Sequence, residues 1–107
     1  MSILGELEQM VLLAVLRLEE AYPVSVRNEI HARTSVDLSR GTIYVTLMRL
    51  ERRALVRSAL GEPTAARGGK AKRCFEVTAE GRRALRESGT ALRRLTAGIE
   101  SLIQRRG

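Results

Sequence analysis

The chain has 107 residues, 44% of them hydrophobic, which suits one domain with its own core and excludes a disordered chain. Only Tyr22, Tyr44 and Phe75 are aromatic, so the core must be aliphatic and base-stacking platforms are scarce. The net charge of +7 is unevenly spread: residues 1–37 carry −3, residues 38–77 carry +6 and residues 78–107 carry +4. A basic region confined to part of a small domain is the electrostatic footprint of a nucleic-acid binder.

"LGELEQMVLLAVLRLEE" reads as the first helix. Leu4, Leu7, Val11, Ala14, Val15 and Leu18 follow three/four spacing, and Leu12, Leu13 and Leu16 add a second apolar face. In so small a domain, the second face is expected to meet another subunit. The run "MVLLAVL" is seven residues long and flanked by charge. That excludes a membrane span, which needs about 20 apolar residues, and no signal peptide is expected. A single cysteine, Cys74, cannot form an internal disulfide, which points to a reducing, cytoplasmic setting. "YPVSVRNEIHARTS" opens on the breaker Pro23, with Ser25 as the candidate N-cap of a short second helix around Val26 and Ile30.

Ser39 is the candidate N-cap of the third helix, "SRGTIYVTLMRLERRA". Ile43, Leu47, Leu50 and Ala54 make one apolar stripe. The other face carries Arg40, Thr42, Val45, Thr46, Arg49 and Arg52, with no carboxylate before Glu51. Solvated faces usually mix acids with bases, and this one does not. "LVRSALG" and "KRCFEVT" have strand character and flank "EPTAARGGKA", so they read as a β-hairpin with a long basic tip. Thr78 caps a last helix that runs towards the C-terminus. Leu85, Leu92 and Ile99 are seven apart, with Ser88, Leu95 and Leu102 in the complementary seam. That coiled-coil-like pattern predicts a partner chain.

Catalytic and cofactor chemistry finds no support. Gly69-Lys70 resembles the end of a phosphate-binding loop, but Thr64 and Ala71 stand where such a loop needs glycine and a hydroxyl. One histidine, His31, and one cysteine do not make a zinc site. We therefore expect no enzyme, no cofactor and no metal.

The order helix, helix, helix, hairpin, helix describes a winged helix-turn-helix, mainly α with a small two-stranded β-hairpin. Its third helix would enter the DNA major groove and its hairpin, the wing, would lie along the backbone or minor groove. Gly41, in the first turn of the third helix, removes bulk where DNA would approach.

"LSRGTIYVTLMRLERRALV", Leu38 to Val56, resembles the G-T-[LIV]-Y-x-x-L-x-R-L segment of the PadR-like transcriptional regulators. "LGEPTAARGGKAKRCFEVTAEGRRAL", Leu60 to Leu85, is similar to that family's wing and the start of its dimerisation helix. The resemblance covers roughly Leu4 to Leu85 and the length matches the short subfamily with one C-terminal helix. Three departures stand out: Pro23 replaces a usual glycine, Ala54 replaces the glycine after the third helix, and Cys74 stands where an aromatic is common. If Ala54 is left-handed, that costs roughly 1 kcal/mol.

The resemblance implies a dimeric repressor, in some members released by a small-molecule effector. The chain lacks the tryptophan that frames the drug site in some members. The expected division is a winged helix-turn-helix at residues 1–77 and a dimerisation helix at residues 78–107. The expected partner is double-stranded DNA with a palindromic operator. Ser39, Arg40, Gly41, Thr42, Tyr44, Val45, Thr46 and Arg49 form the expected recognition helix surface. Arg40 and Arg49 could read guanine or grip phosphate. Tyr44 could donate to a phosphate or pack against the second helix. Arg67, Gly68, Gly69, Lys70, Lys72 and Arg73 form the expected wing, with Lys72 and Arg73 pointing oppositely. Leu4, Leu7, Val11, Leu85, Leu92, Leu95, Ile99 and Leu102 form the expected dimer contact. The rival readings are a non-specific nucleic-acid-coating protein, a dimeric protein adaptor, and a ligand sensor with secondary DNA affinity.

Overall fold

The computed structural model describes residues 3–61 and 72–105. Its elements are α1 (Glu6–Arg17), α2 (Pro23–Thr34), α3 (Arg40–Arg52), β1 (Val56–Leu60), β2 (Arg73–Val77), α4 (Ala79–Thr96) and α5 (Glu100–Ile103). This is the winged-helix order anticipated from the sequence.

Helix starts follow local chemistry. At α1 the Glu8 carboxylate accepts from the Gly5 backbone N–H at 3.0 Å, and Glu6 and Glu8 favour the helix dipole. At α2, Ser25 is not the N-cap. The helix begins earlier, with Tyr22 as cap and Pro23 in its first position, where a missing N–H costs nothing. Ser25 works from inside the first turn, its hydroxyl accepting from Tyr22 N–H at 2.9 Å. Helix α3 ends with Ala54 left-handed at φ 60°, while Leu55 N–H bonds Leu50 C=O and Ala54 N–H bonds Glu51 C=O, both at 2.9 Å. That is the Schellman arrangement, occupied here by an alanine instead of the favoured glycine.

The core is aliphatic, as composition required. Val11, Leu12 and Val15 of α1, Val26 and Ile30 of α2, and Ile43, Leu47 and Leu50 of α3 pack with Val56, Val77 and the one core aromatic, Phe75. Strands β1 and β2 pair antiparallel, with Val56 opposite Val77 and Leu60 opposite Arg73. Phe75 N–H also donates to Ala21 C=O at 2.8 Å, which bridges the hairpin to the α1–α2 link.

Helix α4 is seated on the α3–β1 corner. Thr78 caps it, accepting from Gly81 N–H at 3.0 Å and donating to Ala54 C=O at 2.7 Å. Gly81 is obligatory there, because a Cβ would stand 2.2 Å from Leu55 C=O. Gly81, Ala84 and Ser88 are the buried residues of α4, and its C-terminal half projects from the body along a molecule 54 Å long. The expected uninterrupted last helix is corrected: α4 ends at Thr96, Gly98 adopts φ 86°, and α5 follows as a separate turn. Heptad spacing of side chains cannot register a break in the backbone.

Candidate nucleic-acid interface

The turn between α2 and α3 is held from both sides. Ser35 ends α2 in the left-handed region at φ 62°. From α2, Arg27 Nε donates to Leu38 C=O at 2.7 Å, and its guanidinium lies 3.6 Å from the Asp37 carboxylate. Ser39 then caps α3: its hydroxyl accepts from Thr42 N–H at 3.1 Å and donates to the Thr42 hydroxyl at 2.9 Å. The sequence signalled the Ser39 cap but not the role of Arg27, which carried no signal beyond a single arginine in the first half of a short helix.

Helix α3 buries Ile43, Thr46, Leu47 and Leu50. The expectation that Thr46 faces a groove is therefore corrected. It is 2% exposed, and its hydroxyl donates to Thr42 C=O at 2.7 Å. A threonine satisfied inside its own helix packs like a small apolar residue. The outward surface holds Arg40, Gly41, Tyr44, Val45, Arg49 and Arg52, all exposed, with Thr42 half-buried at its edge. Tyr44 is 50% exposed, so half of it is open to solvent. Among the described residues Arg40, Arg49 and Arg52 make no ion pair.

The one acid of α3 is drawn aside. Ser58 of β1 donates to the Glu51 carboxylate and accepts from Arg73 Nη1 at 2.9 Å. This relay ties the hairpin to the C-terminal end of α3. It also commits one Arg73 nitrogen to the protein. Lys72 lies with its ammonium 5.5 Å from the centre of the Tyr22 ring, at the start of α2. Lys72 and Arg73 thus have different partners, in keeping with strand alternation. Arg67, Gly68, Gly69 and Lys70 lie outside the described residues.

The expected dimer residues divide. Leu4 and Val11 are corrected: at 4% and 0% exposure they belong to the monomer core. Leu4 lies just before α1 and Val11 on its buried face, and apolar spacing alone could not separate core from interface. Leu7 and Leu85 pack partly buried against that core. Leu92, Leu95, Ile99 and Leu102 remain exposed, and Leu13 and Leu16 form the exposed second face of α1. Leu92 lines a groove with Leu4, Met10 and Leu13. Ser88, expected in the seam, is instead buried and accepts from Leu4 N–H at 2.9 Å.

Comparison with known proteins decides the family. The model of the transcriptional regulator PadR-like family matches residues 12–87, most of the chain, from the middle of α1 through the hairpin into α4. The chain belongs to the PadR-like family. Among curated proteins none matches its sequence. Its fold is similar to a PadR-like transcriptional regulator from Bacillus cereus, at 21% identity and TM-score 0.73, covering 94% of this chain and 93% of the other. It is also similar to a PadR family transcription regulator from Clostridium difficile, at 19% identity and TM-score 0.77, covering 92% and 99%. The winged-helix DNA-binding protein F93 from STIV shares the fold at 16% identity and TM-score 0.66, covering 89% and 97%. This PadR-like regulator therefore has the winged-helix fold of DNA-binding transcription regulators. None of its described helices is long and apolar enough to cross a membrane.

Proposed function

We propose that this PadR-like regulator is a homodimeric, cytoplasmic repressor that binds a palindromic operator. The observation that carries the reading is the outward face of α3: three arginines without acidic partners among the described residues, around a first turn thinned by Gly41. Such a face suits close approach to base edges. The exposed Leu13, Leu16, Leu92, Leu95, Ile99 and Leu102 supply an apolar surface for a second copy. Two α3 helices related by a two-fold axis would meet successive major grooves about 34 Å apart. The wing residues Arg67, Lys70 and Lys72 would grip phosphates, a contact that adds affinity without sequence preference. Release by a small-molecule effector, a property of some family members, belongs to the same proposal.

The test is selection of preferred sites from a random duplex library, followed by fluorescence anisotropy against the chosen site and its scramble. The regulator should prefer the chosen site, and the site should be palindromic. Arg49→Ala should lose about 1–3 kcal/mol of that preference. Equal affinity for every duplex would favour a non-specific coating protein, and no affinity would favour a protein adaptor.

A further inference from the structure

Val45 sits in the middle of the arginine-rich face of α3, 50% exposed. Neither the core nor helix propensity accounts for it. Its side chain is half in water, and a β-branched residue favours the helix less than alanine does. The surrounding positions are unusual for a solvated surface. Gly41 lies one turn before, and a Cβ added there would meet only the Ser39 hydroxyl, at 3.9 Å. Arg49 lies one turn after. Residues four apart share a helix face, so Gly41, Val45 and Arg49 form one stripe. Its centre is an apolar side chain beside a gap where glycine has none, and its end is a guanidinium.

A single apolar side chain in an arginine-rich surface is too small and too charged a patch to dock a protein. It matches one apolar feature of DNA. In the major groove the thymine C5-methyl group is the only apolar projection, and it distinguishes T·A from every other pair. We infer that Val45, with the gap left by Gly41, reads a thymine methyl group in each half-site. Arg49 would then address a neighbouring base pair one helical turn along. The inference rests on the DNA-binding reading proposed above and adds the chemical group recognised.

Uracil differs from thymine only by that methyl and keeps the same base pairing. The selected operator, synthesised with each thymine replaced singly by deoxyuridine, is titrated with wild type and Val45→Ala. Burial of one methyl predicts a loss of about fourfold for wild type at one position per half-site. Val45→Ala should bind the thymine operator more weakly by a similar factor and no longer distinguish thymine from uracil there. Wild type binding that ignores every substitution would overturn the inference, as would a Val45→Ala protein that retains the full thymine preference. In both cases operator binding itself persists, so the proposed function survives. A selection that returns no preferred duplex would overturn both. Because Val45 is exposed, far-UV circular dichroism should show Val45→Ala folded as wild type.

Discussion

At the scale of single residues, backbone conformation and hydroxyl partners separate what side-chain type reveals from what it hides. Ala54 was recognisable as an anomaly, since a glycine is favoured where a helix turns left-handed, and its φ of 60° fulfils that expectation. Removing its Cβ relieves about 1–2 kcal/mol, against about 0.5–1 kcal/mol for the added freedom of the unfolded glycine chain. Ala54→Gly should therefore raise stability by about 0.5–1 kcal/mol, as measured by urea denaturation. An unchanged or lower midpoint would mean that the alanine is unstrained. Thr46 shows the opposite case. It was assigned to the outer face by its polarity, yet it follows Ile43 by three positions and precedes Leu50 by four, on the buried stripe. Its hydroxyl is satisfied within the helix, so polarity gave no warning of burial.

At the scale of elements, the order of helices and strands and the core stripe of α3 were legible because periodicity and turn residues agree. The α2 start was misplaced, since proline serves both as breaker and as first helical residue. The C-terminal helix was overextended for a different reason: leucine spacing continues across Gly98 although the helix does not. The same region hid the role of Ser88. A serine in a leucine seam looked like a weak interface position, but it receives the Leu4 N–H and ties the N-terminal segment to α4. Ser88→Ala should cost about 1–3 kcal/mol, because it leaves that N–H buried without an acceptor. Thermal unfolding would check this, and a variant as stable as wild type would show that Leu4 finds another partner.

At the scale of the whole molecule, the candidate DNA face and the candidate dimer face are made by different elements. Arg40, Arg49 and Arg52 lie on α3, whereas Leu92 and Leu95 lie on the projecting half of α4 and are 54% and 75% exposed. Leu92→Glu combined with Leu95→Glu should leave the fold intact and yield monomers by analytical ultracentrifugation. It should also weaken operator binding, since the two half-sites then bind independently. A variant that still sediments as a dimer would move the interface elsewhere. Sequence could not divide core from interface among Leu4, Leu7 and Val11, because both demand the same residue types; only packing separates them.

The bond from Phe75 N–H to Ala21 C=O has a consequence for divergence. It is made entirely by main chain, so any substitution except proline at position 75 leaves donor and acceptor in place. The relay through Ser58 is open to loss by many single mutations; this bond is open to one. It holds the base of the hairpin to the helices without drawing on any residue of the α3 surface. A lineage can therefore alter the exposed side chains of α3 while the frame presenting them stays constant. Proteins at 16–21% identity that superpose on this chain have the relationship such a frame permits.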